Sequence, residues 1–350
     1  MGVSAHVWIL WRRRKGDLDQ MQRLVTALGW THEIKRLNFR GPDIPALAPL
    51  LLAAGSDPLT PPWPTVVMCA EALPSIIARR LKRKSGGVLK AVCIGRPAGS
   101  PRAFDLIITT PQYRIAPAAN VVELSLPLAV PRTDGAPPPY PSVPRRPLIA
   151  VLVGGASFPD RLDGQIAAQL VRDICQYTDR LGGTMAMVTS PRSGVEVVSA
   201  LESAVAPPHR LHVYSRDGNQ YRALLATADE IIVTSDSVSM AADAVETGKP
   251  AFVYPLPLQI GMQWRVTAWL HTWAVEKPSA FLLPIRWLLD AGVFEMPADR
   301  RRLFSRLVSE RRIAWFGGAP PDPQPGADSQ NLTTAADSLG ALVRQQSAVP

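Results

Sequence analysis

At 350 residues with 47% apolar content, the chain is long enough for two domains of about 150 residues each and too apolar to be disordered as a whole. Its formal charge of +9 lies in patches at 12–15, 79–84 and 300–312, which suit anionic lipid or phosphorylated substrates, or plain solvated helix faces. No zinc-ligand spacing, RNA motif or aromatic–basic interleaving accompanies them, so nucleic acid is not an expected partner.

The three cysteines, Cys69, Cys93 and Cys175, form no CxxC pair and sit in apolar surroundings, as expected of core thiols in a reducing compartment. The longest apolar stretch, 44–55, is broken by Pro45 and Pro49 and falls short of the roughly 20 residues a membrane span needs. The amino terminus runs apolar first and basic second, the reverse of a secretory signal. His6 stands where a myristoylation site wants Ser or Thr. The expected location is therefore cytoplasmic.

In chain order, residues 7–10 read as a strand and 18–28 as a helix, with apolar residues at Leu18, Met21, Leu24, Val25 and Leu28 and a closing Gly29. Strands are expected at 65–69, 90–94 and 104–109, with a helix at 73–82 whose Pro74 is tolerated in the first turn. Residues 131–147 hold seven prolines and predict a stiff linker. A second alternation follows, with strands at 148–153, 184–189, 211–214 and 231–234 and helices at 162–181, 194–205 and 221–227. After it, residues 264–315 are rich in Trp and Arg; they read either as core closing one domain on the other or as an interfacial helix at an anionic membrane surface. From 320 the composition becomes Pro/Ala/Ser/Gln-rich, predicting a disordered tail.

Strand–helix alternation predicts parallel sheets. The expected fold class is α/β, two Rossmann-like domains facing each other across a cleft, as in GT-B glycosyltransferases. Residues 1–130 would form the acceptor domain, 131–147 the linker, 148–319 the donor-nucleotide domain and 320–350 the tail.

Chemistry concentrates at the strand ends of the second domain. The strand at 231–234 stops at Ser235, Asp236 and Ser237, with Ser239 following, and a short helix begins there. Open α/β sheets bind ligands at carboxyl ends of strands, and the unpaired N–H groups of a helix start suit a phosphate or diphosphate. A bare helix cap needs only one such side chain. Gly154 and Gly155 follow another buried strand and permit close backbone approach. Arg192 suits either a diphosphate or a surface ion pair. Asp243 reads as a ribose ligand or a solvent-facing carboxylate. Gly16 and Asp17 mark the first strand–helix turn, where an acceptor would meet its base; Asp17 also fits an acid supporting the helix dipole. No acidic DxD-type motif or metal-spaced histidine is present, His209 and His212 reading as surface residues, so neither metal nor cofactor is expected.

The segment ADEIIVTSDSVSMAADAVETGKPAFVY, residues 228–254, closely resembles the signature of the "elongated mitochondria" mitochondrial-fission family, whose bacterial members are described as GT-B glycosyltransferases. Leu152–Ser157 is similar to its Gly-Gly loop, Val188–Arg192 to its Thr-Ser-Arg-Arg segment and Gly218–Tyr221 to its Gly-Asn-Pro-Tyr. Asp243 replaces the usual Glu, Pro191 an expected Arg, and 110–113 reads Thr-Pro-Gln-Tyr where a His-Asp pair is normal. The resemblance implies transfer of a sugar from a nucleoside diphosphate to a cell-envelope or lipid-linked acceptor; the interfacial reading of 264–315 would place the protein peripherally at the inner face of the membrane. Two alternatives remain open: a non-catalytic adaptor, as the organelle-fission relatives imply, and a nucleoside-diphosphate-sugar epimerase.

Overall fold

The computed structural model describes residues 4–41, 51–128, 140–141, 143–155, 157–217, 220–262, 298–322 and 327–347, with isolated positions at 265, 266, 269 and 284. The chain divides into two compact units, residues 1–130 with 261–299 and 329–350, and residues 131–260 with 300–328. Each carries a six-stranded sheet whose strand pairs are all parallel.

In the first unit β1 (His6–Trp11), β2 (Thr31–Arg36), β3 (Val66–Cys69), β4 (Lys90–Ile94), β5 (Leu106–Thr109) and β6 (Val121–Glu123) lie in the order β2-β1-β3-β4-β5-β6. Alternating side chains feed two cores, as the period of a strand requires. Val7 and Ile9 of β1 pack with Leu18, Met21, Leu24 and Val25 of α1 (Lys15–Ala27) on one face. Trp8 and Leu10 pack on the other with Ile77, Ala78 and Leu81 of α2 (Ala72–Lys84). Helix α1 ends where Gly29 takes a φ of +66° and Trp30 N–H donates back to the Val25 carbonyl at 3.2 Å, a left-handed terminus that glycine adopts without strain.

The second unit orders its strands β12-β11-β10-β7-β8-β9: β7 (Leu148–Val153), β8 (Thr184–Thr189), β9 (Arg210–His212), β10 (Glu230–Thr234), β11 (Ala251–Tyr254) and β12 (Ala314–Trp315). Every residue of β7 and β8 is buried, which is why both read as continuous apolar runs. Helices α3 (Gly164–Arg180) and α4 (Val195–Ala204) cover one face through Ala167, Leu170, Val171, Ile174, Val197 and Leu201. A single turn, α5 (Tyr214–Asp217), leads from β9 toward α6 (Tyr221–Thr227). Helix α6 packs against β7, and α7 (Val238–Glu246) against β10 and β11.

Three expectations change. The tail is not structureless: residues 327–347 form α9 (Ala327–Ser347), whose Ala335, Leu339 and Val343 recur every four residues and close the first unit's core beside α1. The spacing that buries them was hidden by small and polar neighbours. β2, with the sequence Thr-His-Glu-Ile-Lys-Arg, was not expected because an edge strand exposed to water carries few apolar residues. His209 is packed rather than superficial, with Nδ1 accepting from Met185 N–H at 3.0 Å, and His212 Nε2 lies 2.7 Å from the buried Tyr140 hydroxyl. The proline-rich segment 131–139 and most of the Trp/Arg-rich stretch lie outside the described residues.

Candidate functional site

In the second unit β7 is central: the chain leaves it toward β8 on one side, while β10 and β11 occupy the other. The carboxyl ends of β7 and β10 therefore flank the point where strand order reverses, the standard ligand crevice of an open parallel sheet. Gly154 and Gly155 follow β7, and Ser235 and Asp236 follow β10.

Both glycines are required by contact. A Cβ on Gly154 would lie 2.2 Å from Asp236 Oδ2, and one on Gly155 would lie 2.3 Å from Arg192 Cβ and 2.5 Å from the Arg192 carbonyl carbon. The backbone after β7 thus touches the loops after β8 and β10 at once, and no larger residue fits. Hydrogen bonds hold the junction. Gly154 N–H donates to Thr234 Oγ1 at 2.8 Å, and that hydroxyl donates to Asp236 Oδ1 at 2.7 Å. Ser193 Oγ donates to the Gly154 carbonyl at 2.8 Å.

A second layer supports the first. Ser235 Oγ donates to Asp160 Oδ1 at 2.6 Å and accepts from Leu256 N–H at 3.0 Å. Arg300, the first residue of α8 (Arg300–Ser309), donates to Asp160 Oδ2 at 2.9 Å and to the carbonyls of Ser157 and Phe158, each at 3.1 Å. The loop leaving Gly155 is thereby folded back and pinned at Asp160 next to the start of α7.

Helix α7 opens at Ser237, an extended N-cap residue whose side chain makes no capping bond, so its first N–H groups receive no partner from the cap. Ser235, Asp236 and Ser237 are only 4%, 2% and 3% exposed, whereas Ser239 is exposed and Asp243 half-buried. Asp236 Oδ2 has no hydrogen-bond partner. Burial raises the Asp236 pKa; the Thr234 hydroxyl opposes the rise and the nearby Asp160 adds to it. Ser239 and Asp243 stand four residues apart, about 6 Å along one helix face. The Asp243 carboxylate accepts from Tyr221 Oη at 2.6 Å. Arg192 is exposed above the Gly155 backbone, its Nη1 donating to Ser157 Oγ at 2.6 Å.

These loops are the segments on which the sequence likeness rested. A family model described as "Mitochondrial fission ELM1" matches residues 15–274. The chain belongs to that family. Among solved structures, this ELM1-family chain is similar to a glycotransferase of kitacinnamycin at 12% identity, spanning 99% of this chain and 96% of that one with a TM-score of 0.49. It is also similar to Acinetobacter baumannii MurG at 14% identity, 95% and 99% coverage and a TM-score of 0.44. A third is S. aureus MnaA, in a structure with UDP, at 11% identity, 87% and 94% coverage and a TM-score of 0.47. No curated protein matches the chain. The α/β class rests on the two parallel sheets themselves rather than on these distant likenesses.

The first unit of the ELM1-family chain has its own reversal point, between β1 and β3. Asp17 lies there in the first turn of α1, and Glu71 stands at the N-cap position of α2 without a side-chain capping bond. Burial pushes the Asp17 carboxyl from its ordinary value of 3.8 up to about 6, Arg14 opposing the rise and Glu71 adding to it. Gly16 sits inside the same helical turn, exposed and with open space around it, so no contact requires a glycine there.

Of the residues singled out from sequence, Gly154, Gly155, Arg192, Ser235, Asp236 and Ser237 lie in the loops after β7, β8 and β10, and Ser239 and Asp243 on α7, which follows, while Asp17 and Gly16 belong to the other unit. Ser235 and Asp236 are tied into the loop framework rather than presented to solvent. Sequence reading did not single out Thr234, Asp160 or Arg300, and placed Tyr221 only in the family-like block 218–221 without a role. Asp160 had one usable signal, a carboxylate five residues after Gly155; Arg300 was hidden in a basic run read as surface. Among the described residues no group of three or more His, Cys, Asp or Glu side chains is arranged to hold a metal, and no helix is long and apolar enough to cross a membrane.

Proposed function

We propose that the protein is a glycosyltransferase whose second unit binds a nucleoside-diphosphate sugar at the β7/β10 reversal point. The single observation behind this reading is the convergence there of two sterically obligatory glycines, an exposed Arg192 and the start of α7, which its cap residue leaves unbonded. Backbone N–H groups at a helix start and a guanidinium favour a diphosphate without needing a metal to neutralise it. Asp243, one turn beyond Ser239 on the same helix face, is the candidate ribose ligand.

In the reaction, an acceptor hydroxyl attacks the anomeric carbon, forms the new C–O bond and gives up its proton to a general base. The bond to the diphosphate breaks with its electron pair, and the developing charge is met by the α7 terminus and Arg192. On the first unit, the Asp17 carboxyl, with a pKa near 6, is mostly ionised at pH 7 and is basic enough to serve as a general base. The acceptor is a cell-envelope or lipid-linked glycan, in line with the likeness read from sequence and with the basic patches, which would favour an anionic membrane surface.

A second reading, a non-catalytic adaptor, draws on the burial of Ser235, Asp236 and Ser237: these side chains brace the fold whether or not a ligand is present. Thermal-shift screening with nucleoside diphosphates separates the two. Stabilisation by one of them that weakens in Arg192→Ala supports the enzyme. Indifference to every nucleotide tested supports the adaptor.

A further inference from the structure

The proposed mechanism leaves the Trp/Arg-rich stretch unused. Its described part opens just after Gly261, in the first unit. Met262, Arg265, Val266 and Trp269 are all helical, and Arg265 N–H donates to the Gly261 carbonyl at 3.2 Å. Met262, Val266 and Trp269 follow the spacing i, i+4, i+7, which lines them along one helix face. They are 76%, 47% and 58% exposed, so this face carries a stripe of large apolar side chains open to water. Arg265 is exposed next to Val266 and forms no ion pair among the described residues.

Such a face calls for an apolar phase bordered by anionic groups, and another protein chain fits it poorly. A fully buried Trp contributes only about 150–250 Å², so three partly exposed side chains fall short of the ~800 Å² that each partner gives to a stable protein interface. A cation without a counter-ion is also disfavoured at the core of such an interface. A bilayer sets no such area. Apolar side chains enter the boundary between headgroups and acyl chains, Trp settles at that depth, and Arg stays among the phosphates. No helix among the described residues is long and apolar enough to cross a membrane, which leaves adsorption in the surface plane.

We propose that the helical segment holding Met262, Val266 and Trp269 adsorbs to the surface of an anionic bilayer, its three apolar side chains at the acyl boundary and Arg265 against lipid phosphate. The inference rests on the preceding reading only for its purpose, bringing the first unit to a lipid-linked acceptor; adsorption itself requires neither nucleotide nor acceptor.

The test is flotation of the full chain with mixed phosphatidylglycerol–phosphatidylcholine vesicles and with pure phosphatidylcholine vesicles. The unaltered protein should float with the first and remain largely in solution with the second. Trp269→Ser should reduce binding to the anionic vesicles about tenfold and Arg265→Gln about fivefold. Both should leave the circular dichroism and Tm of the free protein unchanged, because the altered side chains are exposed. Met262→Cys carrying an environment-sensitive fluorophore should shift to the blue with the anionic vesicles and stay unmoved by free glycerol phosphate. Failure to float with either vesicle overturns the proposal. So does flotation that Trp269→Ser and Arg265→Gln leave intact, which would assign the lipid to the exposed Arg80, Arg83 and Lys84 of α2. A dimer seen by sedimentation without vesicles and dissolved by Trp269→Ser would also overturn it, in favour of a second copy. Nucleotide-induced stabilisation, measured separately, should be the same in Trp269→Ser as in the unaltered protein, so the failure of this inference and the failure of the nucleotide reading are told apart.

Discussion

Replacing Asp17 by Asn should make the protein more stable at neutral pH while removing the candidate base. Asp17 is held near a pKa of 6 in the folded state against 3.8 ordinarily, and each pKa unit is worth about 1.4 kcal/mol. The full difference is roughly 3 kcal/mol, but the side chain is half-buried rather than enclosed, so solvent screening reduces the expected effect to about 1–2 kcal/mol. The sign follows from proton counting. Between pH 4 and 6 the folded state holds a proton that the unfolded state has released, so the unaltered protein loses stability as pH rises through that window. Asn pays no such penalty. Urea unfolding followed by the fluorescence of Trp8, Trp11 and Trp30, all in the same unit, should show the two proteins equal near pH 3.5 and Asp17→Asn ahead by that amount above pH 7. A variant less stable than the parent at pH 7, and equal to it near pH 3.5, would mean that the start of α1 stabilises the charge more than burial opposes it, and the proposed origin of the raised pKa would be wrong.

Gly154→Ala and Gly155→Ala should each cost about 1–3 kcal/mol and abolish any nucleotide-induced rise in Tm, because the added carbon meets Asp236 or the Arg192 backbone; unchanged thermal melts would refute the three-loop junction. Arg192→Ala should lower diphosphate affinity about tenfold with little change in the melting temperature of the free protein, and the loss should shrink as salt increases. Arg300→Met leaves Asp160 buried without its cation, and should cost about 3 kcal/mol in a denaturant titration. Removing residues 327–350 takes Ala335, Leu339 and Val343 from the first core, a loss of roughly 4–5 kcal/mol readable as aggregation or an early unfolding transition; an unchanged melt would show α9 to be dispensable.

The parts of the fold that declared themselves in sequence are those buried on both faces. β7 is apolar throughout and β8 and β10 are apolar between their end residues, and their ends are marked by Gly-Gly, Ser-Pro-Arg and Ser-Asp-Ser, a change of chemistry visible without coordinates. β2 and α9 were not legible because each meets water along much of its length, so only Ile34 in one and a spaced Ala-Leu-Val in the other carry the signal. Within the site, composition identified the hydroxyl and carboxylate cluster but not the division of labour inside it. Ser235 and Asp236 look like ligand contacts in sequence; Ser235 bonds to Asp160, 75 positions away, and the Thr234 hydroxyl that holds Asp236 accepts from Gly154, 80 positions away, separations that local pattern cannot report. The same limit hid Tyr221, whose partner lies on the next helix.

Hydrogen exchange offers the most direct view of the diphosphate cradle, since the groups proposed to hold the ligand are backbone amides. With a saturating nucleoside diphosphate, the amides of 237–240 at the α7 start and those after Gly154 should slow together, and the effect should fade in Arg192→Ala at equal ligand concentration. Binding accompanied by unchanged exchange at both segments would contradict the placement of the nucleotide at this reversal point.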